Sequence, residues 1–311
     1  MLTKFNLMKI LMSVSLVLII LACNQSGSLE AQNTMERTSE FDEYWFQSTA
    51  EITGYKLEQV RYNDVHEGQA VLIFVTEPFN TQKHVKSDNG VGRNVQSAMK
   101  LNHVRRFNTG IYPYNIMTSS FTPVSQTGYG KTFKVSSSMQ EWCGHVYTQY
   151  TKKGNQFDVN SYSYFESEGD HSFQVKEALL EDEIMSLIRI NPEIIKEGET
   201  MIIPAAHYLR LIHKEMKPYK AKISKTNSTF DGQDVVVYEI NIPELERKVT
   251  ITTTKSFPYS IEEWTEEYPA IFTKEKMITR ATKIKTMRLD YWNKHNKSDE
   301  ALYQELFTGM E

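Results

Sequence analysis

Around position 140 the chain reads Gln140-Glu141-Trp142-Cys143-Gly144-His145, placing a carboxylate, a thiol and an imidazole at every second position. On an extended strand alternate side chains share a face, so Glu141, Cys143 and His145 would form one row. Two chemistries use that set: an imidazole beside a thiol activates a nucleophile, and thiolate with imidazole holds zinc. Spacing weighs against the nucleophile, because same-face neighbours on a strand lie about 6–7 Å apart while nucleophile and base need hydrogen-bond contact. Zinc needs two further ligands, for which His171, His207 and His213 are the donors in reserve. The plain alternative is a β-strand with a buried cysteine, Gly144 letting a neighbour approach closely and Trp142 in the core or at a rim. That alternative is the one adopted, so no catalytic residue, metal or cofactor is assigned.

Other chemistry-bearing groups are scattered. His207 and His213 bracket Tyr208-Leu209-Arg210-Leu211-Ile212, and read as a strand they stand about 20 Å apart, too far to share a metal. Asp170-His171 follows Glu166 and Glu168 in an acidic stretch that reads as a solvated loop. Glycine-rich phosphate loops, a Gly-x-Ser-x-Gly elbow and a His-Glu-x-x-His helix are all missing. Aromatics are abundant instead: seventeen Tyr, fifteen Phe and four Trp, with runs at Tyr112-Pro113-Tyr114, Tyr162-Ser163-Tyr164-Phe165 and Phe257-Pro258-Tyr259. Such faces line a pocket for a lipid, a sterol-like molecule or a peptide, or fill a core between sheets. Trp142, Tyr114, Tyr164 and Trp264 are the candidate lining residues.

The elements that would carry these residues are mostly strands. Apolar alternation from Ile52 to Val60 and the run Ala70–Val75 flank the turn-prone 63–68 segment, which suggests a hairpin. Strand patterns recur at 99–107, 112–121, 132–139, 142–150, 157–165, 201–213, 219–225, 234–242, 247–254, 259–264 and 279–291. Most connectors are too short for crossover helices, so the pairing is antiparallel. A short helix is expected at 40–46 with Ser39 as its N-cap, and another over 176–189, with Leu180, Ile184, Leu187 and Ile188 on one face and Asn191-Pro192 as its stop. Ser298–Phe307 reads as a capped C-terminal helix. The sum is a mainly β protein: a large curved antiparallel sheet, half-barrel-like, with one covering helix and short terminal helices, α+β being the alternative.

The first 23 residues read differently. Lys4 and Lys9 precede an apolar run from Ile10 to Leu21, ending in Ile20-Leu21-Ala22-Cys23. The charged start, the short apolar segment and the small residue before the break describe a secretory signal. Ile-Leu-Ala-Cys resembles the lipobox of bacterial lipoproteins, which implies that Cys23 becomes the acylated first residue of the mature chain. Residues 1–22 are then a leader and 23–38 a flexible tether, followed by a single β domain over 39–297 and a C-terminal helix and tail over 298–311. Removing the leader takes away Lys4 and Lys9 and no acid, leaving 33 Lys and Arg against 39 Asp and Glu, a formal charge of −6. That balance gives no general attraction for nucleic acid. With Cys23 lipidated, Cys143 is the one remaining thiol and no intrachain disulfide forms.

The segments 112–121, 140–146, 161–166 and 256–264 resemble an uncharacterised family of bacterial envelope lipoproteins, over about 41–293. Members sometimes carry the label "septum formation inhibitor Maf". The Ser-x-Ser-Pro-Arg-Arg nucleotide loop of the Maf pyrophosphatases does not occur in this sequence, so no catalytic residue is transferred. The succession of long strands is similar to periplasmic lipoprotein carriers that hold acyl chains in a half-barrel. These resemblances imply a non-catalytic binding or structural module for an apolar or amphiphilic envelope molecule, its ligand in the concave face. An envelope hydrolase or zinc protein centred on Cys143 and His145 is one alternative, a scaffold for envelope proteins another. Asn24 after Cys23, with no acidic run, points to an outer-membrane anchor facing the periplasm.

Overall fold

The computed structural model describes residues 38–125 and 131–309; Cys23 and the leader expected over residues 1–22 lie outside them. Helix α1 (Ser39–Trp45) comes first among the described residues. Its N-cap is Thr38, not Ser39: the Thr38 hydroxyl accepts the Phe41 N–H at 3.1 Å, satisfying one of the free donors of the first turn. Strands β1 (Ala50–Arg61), β2 (Asp64–Asn80), β3 (Val85–Lys86), β4 (Val95–Thr109), β5 (Tyr112–Pro123), β6 (Lys134–Glu141), β7 (Gly144–Lys153), β8 (Gln156–Ser163) and β9 (His171–Lys176) follow. The turn-prone 63–68 segment is mostly strand, since Arg61 already pairs with Asp64 and the β1–β2 turn shrinks to Tyr62-Asn63.

Then come β10 (Leu179–Leu180), α2 (Glu181–Ile190), β11 (Gly198–Ile203) and α3 (Ala206–Leu211). The covering helix thus starts at Glu181, five residues later than its pattern suggests, because 171–176 is drawn into the sheet beside β8. Helix α2 has Glu181, Asp182 and Glu183 in its first turn and Arg189 in its last, which suits the helix dipole. The expected strand over 201–213 breaks in two, and its second half is α3. The first free N–H groups of that helix, Ala205 and Ala206, donate to the carboxylates of Glu181 and Asp182 at 3.2 and 2.9 Å. Strands β12 (Tyr219–Phe230), β13 (Gln233–Ile242), β14 (Arg247–Thr254), β15 (Ile261–Pro269) and β16 (Lys276–Leu289) follow, then α4 (Glu300–Leu306).

All the strands join one sheet in the order β10-β11-β12-β13-β14-β15-β16-β1-β2-β4-β5-β6-β7-β8-β9, with β3 added beside β2. Every pair is antiparallel except β10–β11. Curvature is visible in the side chains. Arg105 on β4 and Glu266 on β15 stand four strands apart, about 19 Å on a flat sheet, yet their side chains meet in a salt bridge. His103 and Trp264, on the same two strands, have ring centroids 5.1 Å apart. The sheet therefore curls around this face, and α2 and α3 fill the hollow. Leu180, Ile184, Leu187 and Ile188 are all buried there. Arg189 locks α2 to β1 by a two-pronged salt bridge to Glu51, its Nη1 at 2.6 Å from Oε1.

Candidate functional site

The β6–β7 hairpin decides the fate of the Glu141, Cys143 and His145 row. Trp142 and Cys143 form its turn, so Glu141 ends one strand and His145 belongs to the next, paired with Gln140. Three residues expected on one strand face thereby fall on a strand end, a turn and the neighbouring strand. Cys143 is exposed, not buried. Glu141 accepts the Cys143 N–H at 2.7 Å, and the carboxylate pushes the thiol pKa up, opposite to what an activated nucleophile requires. His171 is exposed at the start of β9, His207 is buried on α3, and His213 follows that helix with Nδ1 2.6 Å from Glu168. Among the described residues no group of three His, Cys, Asp or Glu side chains is placed to hold a metal ion.

The four candidate aromatics separate into two places. Trp264 is buried in the hollow, against His103 and Tyr55. Tyr114, Trp142 and Tyr164 gather at one end of the sheet: Tyr112 stacks on Trp142 and lies against Tyr114, with centroids 6.5 and 5.8 Å away. Tyr164 covers Gly144 so closely that a Cβ there would lie 2.6 Å from its ring, which is the close approach expected of that glycine.

The hollow itself is occupied by the chain. At its centre Glu266 bridges Arg105 and Arg247, and Arg247 also binds Glu181 at the start of α2. The Arg247 guanidinium lies 3.6 Å over the Tyr208 ring, and Gln59 accepts a hydrogen bond from Arg105 at 3.2 Å. Burial alone would raise the Glu266 carboxyl pKa, but Arg105 and Arg247 outweigh it and hold the group well below the usual range. Burial, followed by the charge of Arg105, keeps His103 well below its ordinary value and lowers His207 as well. Asp182 has no such cation in contact; burial pushes it up to about 7, with Glu181 adding to the rise and the Ala206 N–H opposing it. The opening among these groups is about 30 Å³, room for one or two waters. A lipid or other organic ligand does not fit.

A larger space lies on the opposite face of the same strands. Outward-facing side chains of β16, β1, β2 and β4 form an apolar floor: Ile52 pairs with both Ile73 and Met287, and Val71 with Val104. Helix α4 roofs it. Gly54 makes this possible, because a Cβ at that position would lie 2.7 Å from the Leu306 carbonyl. Tyr303 pins the roof by donating to Gln69 at 3.0 Å, and Lys285 pairs with Glu305 at 2.7 Å. Between floor and roof is a pocket of about 280 Å³, with Leu302 and Leu306 above and Arg106, Lys294 and Asp299 contributing charge to its lining. Size and lining fit the general pattern of ligand sites, a mostly apolar cavity with a few polar groups.

Sequence reasoning missed this pocket, yet a signal was present. Ala70-Val71-Leu72-Ile73-Phe74-Val75 is a continuous apolar run, not an alternating one, and a strand of that kind is covered on both faces. Compared with models of known protein families and with curated proteins, the chain matches none.

Proposed function

We propose that this chain is a lipid-anchored protein of the bacterial cell envelope, tethered through Cys23 to the outer membrane and facing the periplasm. Its body is a non-catalytic binding module that holds the apolar part of an amphiphilic envelope molecule under α4. The observation that supports the binding role is the roughly 280 Å³ apolar pocket; its place is the outer face and not the hollow. A space of that size takes a short acyl chain. Arg106, which donates to Tyr303 at 3.4 Å, and Lys294 put cations within reach of an acidic head group.

Calorimetric titration of the full-length protein with decanoate tests the binding role. One saturable site is expected in the wild type, and an at least tenfold weaker one in Ile73→Trp, which fills the floor. Equal affinity in the two proteins sinks the pocket reading. The anchor is tested separately: labelled palmitate should enter the wild type and not Cys23→Ala.

A further inference from the structure

In an antiparallel sheet every second turn falls at the same end. Five neighbouring hairpins turn at one end here, β15–β16, β1–β2, β4–β5, β6–β7 and β8–β9. Each tip carries a large apolar or aromatic side chain: Phe272, Tyr62, Ile111, Trp142 and Tyr164. Four of them stand 68% (Phe272), 81% (Ile111), 67% (Trp142) and 70% (Tyr164) exposed, more than a packed surface leaves to residues of this size. Tyr62 is half-buried because it stacks on Phe272, with centroids 6.0 Å apart and planes 3° from parallel. Its hydroxyl lies 2.9 Å from that of Tyr112, and Tyr112 in turn stacks on Trp142. The tips make a crest in which Phe272, Tyr62 and Trp142 are linked through Tyr112, with Ile111 and Tyr164 exposed at the same end. At the other end two turns are the tight Gly154-Asn155 and Asp231-Gly232, the β14–β15 connection keeps Phe257 and Tyr259 half-buried, and the β2–β4 connection exposes Val91.

We propose that this crest docks onto the interfacial zone of a zwitterionic lipid bilayer, its tips entering the head-group layer one by one. Successive hairpins stand about 10 Å apart at their bases, two strand spacings each, and only Tyr62 and Phe272 lean together into a stack. A folded protein partner would need a matching pit for every tip, whereas a head-group layer deforms around each. Trp and Tyr favour that layer because it takes an apolar ring and a polar edge together. The flanking loops mix Glu166, Asp170 and Glu244 with Lys214, Lys217 and Lys274. No basic patch results, so attraction to anionic lipid is not the driving force. The inference is independent of the pocket under α4, which lies on the outer face of the sheet.

Cys143, exposed beside Trp142, gives a local probe. In full-length Cys23→Ser protein, a polarity-sensitive dye on Cys143 should shift to the blue on addition of phosphatidylcholine vesicles. The same dye at Asn155→Cys, in a Cys23→Ser, Cys143→Ser background, should not. Replacing Ile111, Tyr164 and Phe272 together by Ser should weaken the vesicle response at least tenfold. Adding phosphatidylglycerol or 0.5 M salt should change it less than twofold. The proposal is overturned by any of four results: no shift at Cys143, an equal shift at position 155, a response that needs anionic lipid, or a shift that grows with protein concentration without lipid, which marks self-association. The decanoate titration is unaffected by these outcomes, so the two readings fail separately.

Discussion

Strands β1, β2 and β4 present two surfaces of opposite character, and the contrast shows how one sheet can be rigid on one side and receptive on the other. Facing inward, Leu72, Ala70, His103 and Arg105 meet α2, α3 and the far arm of the curled sheet, leaving about 30 Å³ among buried charges. Facing outward, Ile73, Val71 and Val104 meet one short helix, α4, and leave about 280 Å³ among apolar groups. Inside, Arg105, Arg247 and Glu266 are each held by two or more polar partners, so losing one strands the others. Outside, the roof rests on Gly54 and a few polar contacts at its edge. Such a cover can open at a cost far below that of unfolding the body.

The sharpest way to break this contrast is to remove the central carboxylate. Glu266→Ala leaves Arg105 and Arg247 buried without their shared counter-ion, and about 3–5 kcal/mol of stability should be lost in urea unfolding. A change below about 1 kcal/mol would mean that water reaches the cluster freely. Next in size is a paired truncation on adjacent residues of β2. Leu72→Ala, in the packed hollow, should cost about 2–5 kcal/mol, and Ile73→Ala, beside an existing space, distinctly less. Equal costs would show the outer pocket to be as tightly packed as the inner face.

The smallest effect concerns pH. Asp182 has its folded pKa raised to about 7, against an unfolded value near 3.9. Below about pH 4 both states carry the proton and Asp182 imposes no penalty. Between there and about 7 the unfolded state ionises first, so wild-type stability falls as pH rises, and above about 7 the full penalty is present. Asp182→Asn can still accept the Ala206 N–H without carrying charge. Its melting temperature relative to wild type should rise by a few degrees from pH 5 to pH 8. A difference independent of pH would place the titration elsewhere.

Much of the architecture is legible before any coordinates, because alternation along a strand is a local property. The patterns at 112–121, 234–242 and 247–254 fall within β5, β13 and β14, and Gly154-Asn155 and Asp231-Gly232 turn where their glycines suggest. Readings failed where the deciding partner was distant. Residues 206–211 carry an alternating pattern, yet they coil into α3, its first N–H groups taken by carboxylates on α2. The hairpin at Trp142-Cys143 has neither Gly nor Asn in its turn, so nothing local separated Glu141 from His145.

A mainly β chain with a covering helix over 176–189, which the structure shortens to 181–190, could be read from residues alone, since side-chain period and helix stops are written in neighbouring positions. Which face holds a pocket was set by packing between distant segments. Depth on either side of a sheet depends on what packs against it: α2 and α3 come from 181–211 and α4 from 300–306, all far in sequence from β1, β2 and β4.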